Sequence, residues 1–144
     1  MANYRIKAAG SHSAALGAVI DKVCEIASAK ENKDVLVLVS QINYAKDDER
    51  IEQIFGEVMF DLLIKKRENT VGVGDVNFEV QNFSYLKNAT HRAYGRAVVV
   101  LNPTTKELNN FLQNGNTTVD WIAVEMTLDG ELDSWVQVNQ AADI

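Results

Sequence analysis

One cysteine, one proline and two histidines are all this chain of 144 residues has of the residue types that most often staple, kink or ligate. A single thiol excludes an internal disulfide and every multi-cysteine zinc pattern, and it fits a reducing compartment. His12 and His91 stand far apart and give no metal-ligand spacing. The chain has no GxxxxGK[ST], no HExxH and no GxSxG. Its one paired-glycine motif, Gly72-Val73-Gly74, leads into a strand pattern and lacks the third glycine of a dinucleotide fingerprint. Asp129, Glu131 and Asp133 fall short of the ordered oxygen series of a calcium loop and read as a solvated acidic turn. The expectation is therefore no metal and no cofactor.

Long apolar runs are also missing, so no bilayer-spanning segment is expected. The first residues lack a basic region followed by an apolar stretch, which argues against a signal peptide. Without one, the Asn88-Ala89-Thr90 sequon reads as chance. A cytoplasmic protein, or a virion component, is the expected setting. Positive charge is in deficit: 14 Lys and Arg against 20 Asp and Glu leave a formal charge of -6. That balance argues against non-specific nucleic-acid binding, which neutralises phosphates with basic residues. It also favours solubility.

What the chain does have is a core. Hydrophobic residues make up 47%, enough at this length for one domain over residues 1–144. Asp47–Arg67 reads as one long amphipathic helix. Ile51, Ile54, Phe55, Val58, Met59, Leu62 and Leu63 recur at three- and four-residue steps. Acidic residues open it and Lys65, Lys66 and Arg67 close it, as the helix dipole favours. A second helix is expected from about Ala14 to Lys30, capped by Ser11 or Ser13, with Leu16, Val19, Ile20, Val23, Ile26 and Ala27 on its buried stripe. Cys24 borders that stripe and reads as a small core residue.

Val35–Val39 and Ala97–Leu101 are continuous apolar runs, typical of strands covered on both faces. Asn3–Ala8 and Val76–Val80 alternate instead, so each should keep one wet face. A change of phase at Phe83 and Tyr85 suggests a bulge near Asn82. Thr104 and Glu107 have capping-box spacing before a short helix with Leu108, Phe111 and Leu112 inside and Gly115 as its stop. Asp129-Gly130 suggests a terminal hairpin with a three-residue loop, pairing Met126 with Leu132 and Ile122 with Val136. Trp121 and Trp135 would then lie on opposite faces, one of them exposed to a partner. The expected fold is α/β (or α+β): a single mixed sheet packed by two long helices and one short one, with a C-terminal β-hairpin.

Two functional readings follow. The first is a non-enzymatic assembly protein acting as a homo-oligomer, such as a virion or phage accessory component, or one binding other protein subunits. It draws on the absence of a catalytic constellation and on two opposed charge clusters. Lys87, Arg92 and Arg96 gather around one loop, and Asp129, Glu131 and Asp133 around the hairpin tip, with Trp121 or Trp135 as an apolar anchor. The alternative is an enzyme or binding protein for a phosphorylated small molecule or nucleotide. Parallel strands would gather three loops at their carboxyl ends: Gly10–Ser13, Ser40–Tyr44 and Asn102–Thr105. Ser11, His12 and Ser13, with Tyr94, Arg92 and Arg96 of the basic loop, are its candidate ligand residues. Tyr85, Lys87 and His91 complete that basic, aromatic loop.

Overall fold

The computed structural model describes residues 2–112 and 118–144, leaving aside the side chains of residues 111 and 112. The expected burial of Phe111 and Leu112 and the stop at Gly115 lie outside the described part. The strands are β1 (Asn3–Lys7), β2 (Asp34–Val39), β3 (Val71–Val73), β4 (Val76–Asn82), β5 (Ala97–Leu101), β6 (Asp120–Glu125) and β7 (Ala142–Asp143). They form one mixed sheet in the order β3-β4-β2-β5-β6-β1-β7, in which only the β3–β4 pairing is antiparallel. The helices are α1 (Val19–Ser28), α2 (Ile42–Ala45), α3 (Glu49–Phe55), α4 (Glu57–Phe60), α5 (Thr105–Glu107) and α6 (Asp133–Asn139).

Both faces of the sheet are covered, which is why β2 and β5 carry no polar alternation. Val35, Val37, Val39, Val99 and Leu101 face one core with Val19, Val23, Ile51, Ile54 and Leu63. Leu36, Leu38, Val98 and Val100 face the other, with Leu86, Leu108, Leu132 and both tryptophans. The result is an α/β arrangement of three layers.

Several expectations change. The long helix is broken at Gly56, whose φ of 81° and ψ of 160° belong to glycine alone. Past the break the buried face shifts: Phe60 and Ile64 are in the core, while Val58 is 75% exposed. The last turn, Asp61–Lys65, widens to a π-helix. The helix expected from Ala14 begins instead as a 3₁₀ helix over Gly10–Ala18 and becomes α-helical only at Val19. Its first residue follows Ala9, with no side-chain cap from Ser11 or Ser13. So the two long helices of the expectation are four shorter pieces and a 3₁₀ lead-in. No bulge forms near Asn82; β4 ends there and a 3₁₀ turn, Phe83–Leu86, takes over.

The C-terminal hairpin is absent. Asp129-Gly130 does turn, with Gly130 at φ 87°, but a helix follows, not a returning strand. Leu132, Trp135 and Val136 follow helical three- and four-residue steps and pack on the second face. Val138, which strand alternation would group with Leu132 and Val136, is solvent-exposed. Trp121 and Trp135 are both buried in the same core, so neither is available as an interface anchor. After α6 the chain adds β7 beside β1 in parallel.

That arrangement buries Arg5, which alternation in β1 placed on a wet face. Arg5 is 4% exposed. Its guanidinium donates to Asp143 at 2.6 and 2.9 Å, to Asp133 at 2.5 Å and to Glu125 at 3.3 Å. Glu125, fully buried, also accepts from the backbone N–H of Gly130 and of Leu132. The capping box at the start of α5 is formed as expected: Thr104 accepts from Glu107 N–H, and Glu107 accepts from Thr104 N–H.

Candidate functional site

Because β1, β2, β4, β5 and β6 run parallel, their carboxyl ends open on one side of the molecule. The loop Ser40–Tyr44 leaves β2 there, and the segment Asn82–Lys87 leaves β4 beside it. Between them lies a cavity of about 690 Å³. Asn82 joins the two loops: its side-chain oxygen accepts from the N–H of Ile42 at 2.8 Å. Ser40, Gln41 and Asn43 line one wall, and Phe83, Ser84 and Lys87 another. Tyr44 projects into the opening with 70% of its surface exposed. Arg67, from the end of the helix after α4, and Glu107 complete the lining.

The charge of this cavity is its informative feature. Among the described residues, neither Arg67 nor Lys87 makes an ion pair. Glu107, the one carboxylate in the lining, is engaged with the Thr104 backbone through its capping box. Two uncommitted cations, several amides and hydroxyls, and one exposed aromatic ring therefore meet in one concave place. Cations attract an anion, an aromatic face stacks on a flat ring, and amides and hydroxyls fix orientation. Arg67 stands at φ 56°, the left-handed conformation that closes helices and suits glycine; for another residue it costs about 1–2 kcal/mol.

Of the residues expected to form a ligand site, none lines this cavity, and Arg96 lines the smaller one next to it. Ser11, His12 and Ser13 sit past the end of β1, on the same side of the sheet, but they line neither this cavity nor the smaller one next to it. His12 Nε2 lies 3.8 Å from Asp129 Oδ1. Arg96 lies at the opposite, amino-terminal end, beside the start of β2, because the loop after β4 runs back along the sheet before β5 begins; Arg92 lies part of the way along that loop, against Tyr85. Arg96 donates to the carbonyls of Asp34 and Arg92 and pairs with Glu79 at 2.8 Å. Arg92 stacks on Tyr85, 4.6 Å from the ring centre, and donates to its carbonyl. Tyr94 is exposed at that same end. Lys87 alone of the basic loop reaches the cavity.

The expected interface groups are largely engaged within the chain. Asp133 holds Arg5, Arg96 holds Glu79, and both tryptophans are core. Asp129 faces His12, whereas the Glu131 carboxylate makes no ion pair among the described residues. Burial, with Asp21 adding, pushes the Cys24 thiol up, which leaves it a poor nucleophile at neutral pH. Among the described residues no cluster of His, Cys, Asp and Glu could hold a metal ion, and no helix is long and apolar enough to cross a membrane.

Arg67, Asn82, Phe83, Ser84 and Glu107 line the site and were missed as site residues in the sequence. Arg67 reads as the basic end of an amphipathic helix, and Asn82 as a strand terminus. Ser40, Gln41, Asn43 and Tyr44 were visible through the rule that ligands gather beyond parallel strand ends. Compared with known protein families, curated proteins and solved structures, the chain matches none.

Proposed function

We propose that the protein binds a phosphorylated small molecule or nucleotide in the cavity beyond the carboxyl ends of β2 and β4. The observation that carries this is the pair of uncommitted cations, Arg67 and Lys87, in a cavity of about 690 Å³ beside the exposed ring of Tyr44. Its volume suits one small organic ligand, since such sites span about 300–1,000 Å³. In this reading Lys87 and Arg67 hold the phosphate. Tyr44 stacks on the ring, and Gln41, Asn43 and Ser84 meet its polar edge. Asn82 holds together the two loops that form the walls, and Ser40 adds a hydroxyl to the lining.

The assembly reading keeps less support. Arg96, Asp133 and the tryptophans, which it needs at a subunit contact, are engaged inside one chain.

Isothermal titration with adenosine and uridine monophosphates, and with the matching nucleosides, tests the proposal. The monophosphates should bind, the nucleosides should bind at least tenfold more weakly, and Lys87→Ala should weaken the monophosphates by about tenfold, the loss expected for one charge-assisted contact. Monophosphates that bind no better than nucleosides, or a Lys87→Ala variant with unchanged affinity, would contradict it.

A further inference from the structure

Arg67 lines a second cavity as well. This one, of about 240 Å³, lies along the outer side of β4 and is bordered by Asn77, Glu79 and Gln81, which alternate to one face of the strand. Arg67 lines both cavities and so stands at their boundary.

The two cavities differ in charge. In the smaller one Glu79 is neutralised by Arg96 and oriented by Gln81 at 3.1 Å. Asp34 accepts from Asn77 at 3.2 Å, and neither it nor Glu68 makes an ion pair among the described residues. Beyond Arg67 and the Arg96 paired with Glu79, the lining is thus rich in carboxylate oxygens, which repel a further phosphate, and in carboxylate and amide oxygens that accept from hydroxyl groups.

Backbone conformation makes a separate point about Arg67. At φ 56° glycine would be more stable, and the Arg side chain repays nothing through an ion pair. Its place on the wall of both cavities gives the side chain a use that the fold does not.

We infer that the ligand is bipartite: a ring in the larger cavity, phosphate at Arg67 and Lys87 on the boundary, and a polyhydroxyl group, as in a nucleoside diphosphate sugar, in the smaller cavity. This rests on the binding site proposed above and names its ligand class.

Titrating the whole protein with the series UMP, UDP and UDP-glucose, and with the adenine equivalents, tests it. One diphosphate sugar should bind at least tenfold more tightly than its diphosphate. Asn77→Phe, at an exposed strand position, fills the smaller cavity and should erase that preference. Arg67→Gly should raise Tm while weakening the diphosphate sugar at least tenfold. Equal affinity for diphosphate and diphosphate sugar in the wild-type protein would overturn the bipartite ligand while leaving the larger site standing. An Arg67→Gly variant with unchanged affinity would remove Arg67 as the boundary anchor. No binding anywhere in the series would sink the site itself, and the bipartite ligand with it.

Discussion

Removing the Glu125 carboxylate would leave the N–H groups of Gly130 and Leu132 without an acceptor and take from Arg5 its one fully buried counter-charge. Breaking a buried pair costs about 3–5 kcal/mol, because the surviving charge stays desolvated. We predict a loss of that size for Glu125→Ala in urea unfolding; a loss below about 1 kcal/mol would show that the network contributes little. Asp143, on the exposed side of the same guanidinium, titrates separately. Its hydrogen bond to Arg5 holds its carboxyl below the ordinary value despite some burial. A depressed carboxyl stabilises the fold above the unfolded-state value of about 3.9, and the stabilisation is lost as pH falls through the folded one. Acid should therefore loosen β7 first, exposing the Ile144 N–H that donates to the Arg5 carbonyl, and hydrogen exchange at that amide reads it. Arg5 itself was misread from sequence for a physical reason. Alternation in β1 marks which side chains share a face, but α6 and β7, which cover that face, come from the far end of the chain.

At the scale of elements, Gly56 divides what composition presents as a single helix. Space around it is open, so Gly56→Ala meets no steric wall; the cost is backbone strain alone, about 1–3 kcal/mol. The break also re-phases the helix that follows. Val58→Asp should therefore be nearly neutral, whereas Ile64→Asp, at a fully buried position, should cost several kcal/mol. Thermal melts of the two variants distinguish this phase from that of an unbroken helix, which would place Val58 inside. Periodicity identified the apolar content of 47–67 correctly but not its rotation, since one residue in a glycine-only conformation resets the phase. The tail failed differently. Leu132-Ser134-Val136 satisfies a period of two and Leu132-Trp135-Val136 a helical step, and only packing on the second core decides between them.

For the whole molecule, the sheet was the most legible feature. Two uninterrupted apolar runs announce strands covered on both faces, and β2 and β5 are indeed central, parallel neighbours. The order of strands was not legible, and the candidate site depends on it. The cavity exists because β4 lies beside β2, which brings Lys87 and Arg67 to the loop Ser40–Tyr44. No local pattern specifies that neighbourhood, and so Arg92 and Arg96, close to Lys87 in sequence, looked like its companions. Backbone amide chemical shifts followed by NMR during titration with UMP and AMP locate the binding site. Perturbations should concentrate at Ser40–Tyr44, Asn82–Lys87 and Arg67, with Ser11–Ser13 and Arg96 undisturbed. Shifts centred on Ser11–Ser13 or on Arg92–Arg96, or none at saturating ligand, would contradict the proposed site.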